Sequence, residues 1–329
     1  MNGALIGRAG VAPVVREPST RAEQVTQLVL GETAQVLEEA GEWRRIQLDG
    51  DGYQGWIHRG YVLEIDLATA TEWREAAEGW SEGAVLRAGS EIVRLPLRSR
   101  VRLKGDRLGL PDGRRALLIA GSVVHFSKVR RRAARASPDR WAAHAFAGTA
   151  YQWGGVTPWG VDCSGLVQTT FLARGETFPR DASQQITCGL PVDPPERRQP
   201  GDLLFFAEEG RITHVAISGR EDTLVHSTLS CGGFVQEPWG PGTRAEYMRE
   251  RLVLFDIDGT LLLTAGAGRR AITTAPTSSA MRWERPSRST MQTTRFTSPK
   301  TQSTRRSIPT AGRRFRSRMA TAASSIRAF

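Results

Sequence analysis

Between Tyr151 and Gln168 the chain reads YQWGGVTPWGVDCSGLVQ, and this stretch limits the possible folds more than any other. Gly154, Gly155, Pro158 and Gly160 prevent a continuous helix up to that point. DCSGLVQTTFLARG then has the pattern of a helix ended by Gly175. A loop rich in Gly and Pro thus delivers a lone cysteine, Cys163, to a helix start. There the unpaired N–H groups and the helix dipole favour negative charge, so a thiol ionises more readily. The same amides can stabilise an oxyanion. A thiolate nucleophile also needs an imidazole partner. Two histidines follow on segments that read as strands, His214 in RITHVAISG and His226 in TLVHSTL. His214 is expected to take the thiol proton and pass it to the leaving amine, and His226 to orient His214. A single cysteine is usually a small core side chain, and a strand histidine is usually packed or exposed. The combination, in this order, points to catalysis.

The remaining pattern divides the 329 residues into several domains. Short runs rich in Val, Ile, Leu and aromatics (VAPVV, QLVL, AQVLEE, WRRIQL, GYQGWIH) are separated by Gly and acidic turns such as GEW and DGDG. They predict a small β-barrel over residues 1–68. AVLRAG, EIVRLPL, RVRLKGD, RLGLPDGRRALLIA and GSVVHF predict a second over 69–130, with ATATEWREAAEGW as a short helix or linker between them. A third domain is expected over 131–250. Ser137 is its expected N-cap, followed by Pro138 at the first helical position, with Trp141, Ala145 and Phe146 at helical spacing. The helix at Cys163 and the strands GDLLFFA, ITHVAISG and TLVHSTL make an α+β layout.

The net charge of +11 and the pI near 10.6 first suggest a nucleic-acid binder. From Thr264 to Phe329, however, 14 Arg and Lys face a single acid, Glu284, so the other 263 residues carry about −2. Basicity belongs to the tail, and specific nucleic-acid binding is not expected. From Arg269 onward Ser, Thr, Arg and Pro dominate without apolar periodicity, which predicts disorder over 269–329. Cys163, Cys188 and Cys231 form neither a disulfide framework nor a zinc motif, so no metal or cofactor is expected. Cys188 and Cys231 have no base nearby in sequence and are expected to be structural. No apolar run approaches the roughly 20 residues of a spanning helix. MNGALIGRAGVAPVVREPS lacks the layout of a signal peptide, and a cytoplasmic location is expected.

Residues 138–248 resemble the NlpC/P60 peptidases. The match rests on Y-x-W-G-G, D-C-S-G-L-V at 162–167, P-R-D-A-S-Q-Q at 179–185, P-G-D-L-L-F-F at 200–206 and I-T-H-V-A-I at 212–217. The resemblance implies a papain-like fold, a Cys163–His214–His226 triad, and Tyr151 lining the site. It implies cleavage of the γ-D-glutamyl–diamino acid bond in peptidoglycan-derived peptides. D-G-Y-Q-G-W-I at 51–57 and AEQVTQLVLGE at 22–32 resemble bacterial SH3-type barrels. Barrels N-terminal to such a peptidase resemble the endopeptidases that recycle wall peptides with a free N-terminal L-alanine. By that resemblance Asp162, Tyr53 and Glu23 would bind the ammonium, joined by Ser164. Asp181 and Gln184 either line the cleft or cap a helix, and their capping-box spacing favours the cap. The alternatives are a secreted wall hydrolase tethered by its barrels and a non-catalytic wall-peptide binder.

RLVLFDIDGTLL at 251–262 resembles the first motif of haloacid-dehalogenase-type phosphatases, with Asp256 as nucleophile, Asp258 as acid/base and Mg²⁺ alongside. The rest of such a catalytic core is missing from the sequence that follows. The 251–268 segment is therefore expected to be a truncated motif, the start of a neighbouring gene joined to the peptidase, whose strand packs on the preceding domain.

Overall fold

Alternating side chains build the first domain. Trp43–Leu48 and Gln54–His58 bury every second residue, as strands with one covered face do. Leu5, Ala12, Val14, Leu28, Ala34, Ile46, Leu48, Ile57 and Val62 close together into its core. A computed structural model of the chain describes residues 3–192, 197–255, 261–263 and 280–282. Two strands of the first sheet were not legible in the sequence, Gly3–Gly7 and Val62–Asp66. They pair antiparallel (Leu5 opposite Glu64), and Gly3–Gly7 also pairs with Thr33–Ala40. Gly3–Gly7 is an almost continuous buried run, so it lacks the alternation that marks a half-covered strand.

The linker is a helix, Leu67–Ala76, capped by Asp66, whose Oδ1 accepts from the Thr69 amide at 2.6 Å. The second domain is a closed antiparallel barrel of Gly79–Ala88, Glu91–Lys104, Arg107–Gly109 and Arg115–His125. It bends sharply at Gly121, where φ is +77° and a Cβ would meet the Gly83 carbonyl. Leu30 of the first barrel sits in the core of the second.

The third domain opens with helices Phe126–Arg135 and Pro138–Phe146. Ser137 occupies the N-cap position but makes no capping bond, and Pro138 is at the helix start as expected. The helix Cys163–Ala173 is almost wholly buried. Leu166, Val167 and Phe171 share one core with Val215, Ile217 and Val225 of the sheet. Each such fully buried side chain is worth about 1.5–3 kcal/mol against exposure. The sheet runs in the order Leu190–Val192, Ala280–Arg282, Leu203–Glu208, Arg211–Ser218, Thr223–Thr228, Gly233–Pro238. Ala280–Arg282 is the exception to the disorder expected of the tail; its other residues lie outside those described.

Buried Arg98 fastens the barrels to the nucleophile helix. Its guanidinium pairs with Glu32 of the first barrel and donates to Gln168 Oε1 and Thr169 Oγ1 of the helix, both at 3.2 Å. Beyond the sheet, Leu252 packs with Phe206, Trp239, Ala245 and Met248, and Val253–Phe255 pairs with Leu261–Leu263. The expected packing of this segment is present at Leu252. Asp256 and Asp258 lie outside the described residues.

Candidate active site

Cys163 is the first residue of its helix, and Asp162 is the N-cap. The backbone amides of Ser164 and Val215 both point at the sulfur. The thiol therefore lies between a helix start and the strand residue that follows His214. Three neighbouring antiparallel strands supply the rest. His214 Nε2 lies 2.8 Å from His226 Nδ1, with the rings edge to face. His226 Nε2 lies 2.9 Å from Glu237 Oε1. Because His226 engages Nε2 of His214, a proton taken from a thiol would have to go to Nδ1. Phe206, opposite His214 in the sheet, packs against its ring.

Burial sets the charge state. It pushes the Cys163 thiol up to about 12, aided by the Asp162 carboxylate and opposed by the Val215 amide, Arg180 and the Ser164 amide. It pulls His214 down to about 3, with His226 in the same direction and Glu237 opposing. Burial thus favours the neutral thiol and the neutral imidazole, which corrects the expectation that a helix start makes this thiol ionise more readily. Tyr151 lies close enough to Cys163 and Asp162 for both to join burial in raising its phenol. Around the sulfur the structure places Tyr151, Asp162 and the amide of Val215, the residue after His214, while His214 itself is bonded to His226.

Asp162 and Ser164 are committed within the protein. Asp162 Oδ1 accepts from the Gly165 amide at 2.7 Å and Oδ2 from the Gly154 amide at 2.8 Å. Arg180 donates to both oxygens, at 3.2 and 2.6 Å, and to Ser164 Oγ at 2.8 Å, while Ser164 donates to Asp162. These contacts saturate a carboxylate with about four lone-pair sites. Asp162, expected as an ammonium ligand, caps the helix and pairs with buried Arg180, and Ser164 joins them through its hydroxyl. Arg180 is 2% exposed and went unassigned in the sequence, although it stands in the P-R-D block.

The first barrel reaches this site along one strand. Gln24 Nε2 donates to the Trp153 carbonyl at 2.7 Å, Gln27 Oε1 accepts from the Val156 amide at 3.1 Å, and Thr26 Oγ1 accepts from Arg180 at 3.0 Å. Glu23 accepts from Trp153 Nε1 at 2.9 Å and pairs with Arg16. Tyr53 donates its hydroxyl to the Asp181 carboxylate, 3.1 and 3.2 Å from its two oxygens. Asp181 stands at an N-cap position but makes no cap bond, which corrects the expected capping role. Burial raises the Asp181 carboxyl, with the Tyr53 hydroxyl and Arg180 opposing. Gln184 is exposed, and Gln185 is the glutamine that packs inward, donating to the carbonyls of Ser164 and Pro179. Cys188 is partly buried and packs against the core, as a structural cysteine does, whereas Cys231 is exposed. Among the described residues no His, Cys, Asp or Glu cluster suits a metal, and no helix is long and apolar enough to cross a membrane.

A helix-borne thiol, an imidazole pair on the facing sheet and a covered core define a papain-like thiol peptidase. Residues 148–252 match the model of the NlpC/P60 family, and residues 14–60 match that of the bacterial dipeptidyl-peptidase Sh3 domain. A γ-D-glutamyl-L-lysine dipeptidyl-peptidase of Bacillus subtilis (strain 168) is 30% identical over 223 residues, covering 61% of this chain and 71% of the relative. Its counterpart in Bacillus cereus (strain ATCC 10987 / NRS 248) is 29% identical over 228 residues, 61% of this chain and 66% of the relative. The crystal structure of an NlpC/P60 family protein from Bacillus cereus ATCC 10987 superposes with a TM-score of 0.59 at 21% identity, covering 73% of this chain and 95% of that one. The chain belongs to the NlpC/P60 family.

Proposed function

We propose that the protein hydrolyses the γ-D-glutamyl–diamino acid bond of peptidoglycan-derived peptides that carry a free N-terminal L-Ala, as a scavenging enzyme of the cell interior. Two relatives named γ-D-glutamyl-L-lysine dipeptidyl-peptidases support the bond cleaved. The observation that carries the free-amine reading is the Tyr53–Asp181 pair, one residue from the barrel and one from the peptidase. A partly desolvated carboxylate beside a phenol oxygen suits an ammonium group. Glu23, bound to Trp153 in the nucleophile loop, lies at the same junction. A dipeptidyl unit with L-Ala against this pair would present the γ-carbonyl of D-Glu to Cys163. The thiolate attacks that carbonyl, His214 protonates the departing amine, and water then releases the acyl group.

Mass spectrometry of products from L-Ala-γ-D-Glu-diamino acid peptides, with free and acetylated N-termini, tests the reading. Release of the diamino acid from the free peptide, with kcat/KM at least about 100-fold lower on the acetylated one, is expected for one lost charge-assisted contact set. Equal rates on both would instead favour a general wall hydrolase.

A further inference from the structure

The catalytic reading uses Cys163, His214 and His226, yet the hydrogen-bonded chain does not stop there. Behind His226 lies Glu237, 7% exposed, two residues along its strand from Val235, the register partner of His226. Arg244 grips the far side of that carboxylate. Its Nε donates to Oε2 at 2.8 Å and its Nη2 to Oε1, while Nη1 reaches Ser230 Oγ at 3.1 Å. Burial alone would push the Glu237 carboxyl up, but the bonds from His226 and Arg244 prevail and hold it down at about 2. It is an anion at any working pH.

We propose that Glu237, clamped by Arg244, is a positioning residue that fixes the tautomers of both active-site imidazoles; this rests on the thiol-peptidase reading of Cys163. The argument follows from donors and acceptors. A carboxylate can only accept. In its neutral form His226 must therefore carry its proton on Nε2, which faces Glu237 Oε1, leaving a lone pair on Nδ1. His214 must then carry its proton on Nε2, which faces that lone pair at 2.8 Å. The lone pair of His214 is left on Nδ1, the nitrogen available to the thiol. When Cys163 attacks, its proton moves to Nδ1 and His214 becomes an imidazolium. That cation donates to His226, whose own N–H points at the Glu237 anion. The proton leaves with the amine, and the relay returns to its starting state. Without Glu237, His226 is free to place its proton on Nδ1. His214 would then accept through Nε2 and hold its proton on Nδ1, which could no longer take a proton from the thiol.

Ring ¹⁵N shifts of the labelled full-length protein report tautomers directly. The wild type is expected to show protons on Nε2 of both His214 and His226 near neutral pH. Glu237→Leu should lose this pattern and lower kcat by up to about 10⁴-fold, the loss seen for a base held in the wrong tautomer, with KM changed less than about threefold. Glu237→Gln retains an acceptor oxygen for His226 and should keep the pattern and recover kcat to within about tenfold of wild type. A merely structural role, pinning the turn at Arg244–Arg251 to the sheet, would move thermal stability and leave tautomers unchanged. An Nδ1 proton on either histidine of the wild type overturns the proposal without any variant, and so does a folded Glu237→Leu protein with wild-type tautomers. If the wild type leaves the peptides uncut, the substrate reading fails, and the tautomer measurement still decides the proposal.

Discussion

Arg180 ties the barrel to the nucleophile helix through one buried guanidinium, and Arg180→Met is the perturbation that shows what this is worth. The side chain is 1% exposed and makes four bonds, two to Asp162, one to Ser164 and one to Thr26. Methionine fills much of the volume and satisfies none of them. Asp162 would remain 5% exposed with its amide partners but without its cation. Removing one partner of a buried ion pair costs about 3–5 kcal/mol. With a urea m-value of about 2–3 kcal/mol per M, the midpoint should fall by about 1–2 M. Asp162→Asn should also destabilise, since it strands a buried cation, although Asn remains a good N-cap. In the double variant neither charge is left unpaired. Its loss should be smaller than the sum of the two single losses by about 1–3 kcal/mol. Urea titration followed by Trp fluorescence and by far-UV circular dichroism measures all three variants. A midpoint shift below about 0.3 M for Arg180→Met, or additive losses in the double variant, would refute the buried-pair argument.

Other consequences are simpler to check. Tyr53→Phe removes the hydroxyl that meets Asp181 and should raise KM for free-amine peptides about 5–20-fold while kcat changes little, which steady-state kinetics will show. Stability should fall in acid for two reasons of the same sign. Burial lowers His214 from 6.5 to about 3, so between those values the unfolded chain binds a proton that the folded protein refuses. Glu237 is lowered from 4.5 to about 2, so its contribution is present above 4.5 and lost as pH falls through 2. Melting temperature should therefore decline from about pH 6.5 downward, and His214→Gln should flatten the upper part of that decline; an unchanged slope would contradict the assignment. Gln27→Ala removes the acceptor of the Val156 amide and should destabilise by about 1–2 kcal/mol, read as a lower urea midpoint.

The placement of Cys163 at a helix start was legible because local chemistry marks it: glycines that break a helix, an N-cap, then a cysteine. The two histidines were legible from their order behind it. Partners distant in the chain were not. Asp181 had the spacing of a capping box, but the hydroxyl of Tyr53, 128 residues away, engages its carboxylate, and no local pattern encodes that meeting. Arg180 and Glu237 went unassigned, because a charged residue carries no local mark of a buried partner. Burial and a tertiary counter-ion give them their roles, and both arise only when barrel, helix and sheet assemble. The barrels were visible as runs of short strands, whereas Gly3–Gly7, buried along nearly its whole length, carried no alternation to reveal it.

The central claim is that the sulfur of Cys163 forms a covalent acyl bond with the substrate. Acid quench during turnover of an L-Ala-γ-D-Glu-diamino acid peptide, followed by peptide mapping, tests it most directly. The account predicts an L-Ala-γ-D-glutamyl thioester on Cys163, absent from Cys188 and Cys231, and no hydrolysis by a folded Cys163→Ala protein. Turnover by that variant, or an acyl group on another side chain, would contradict it.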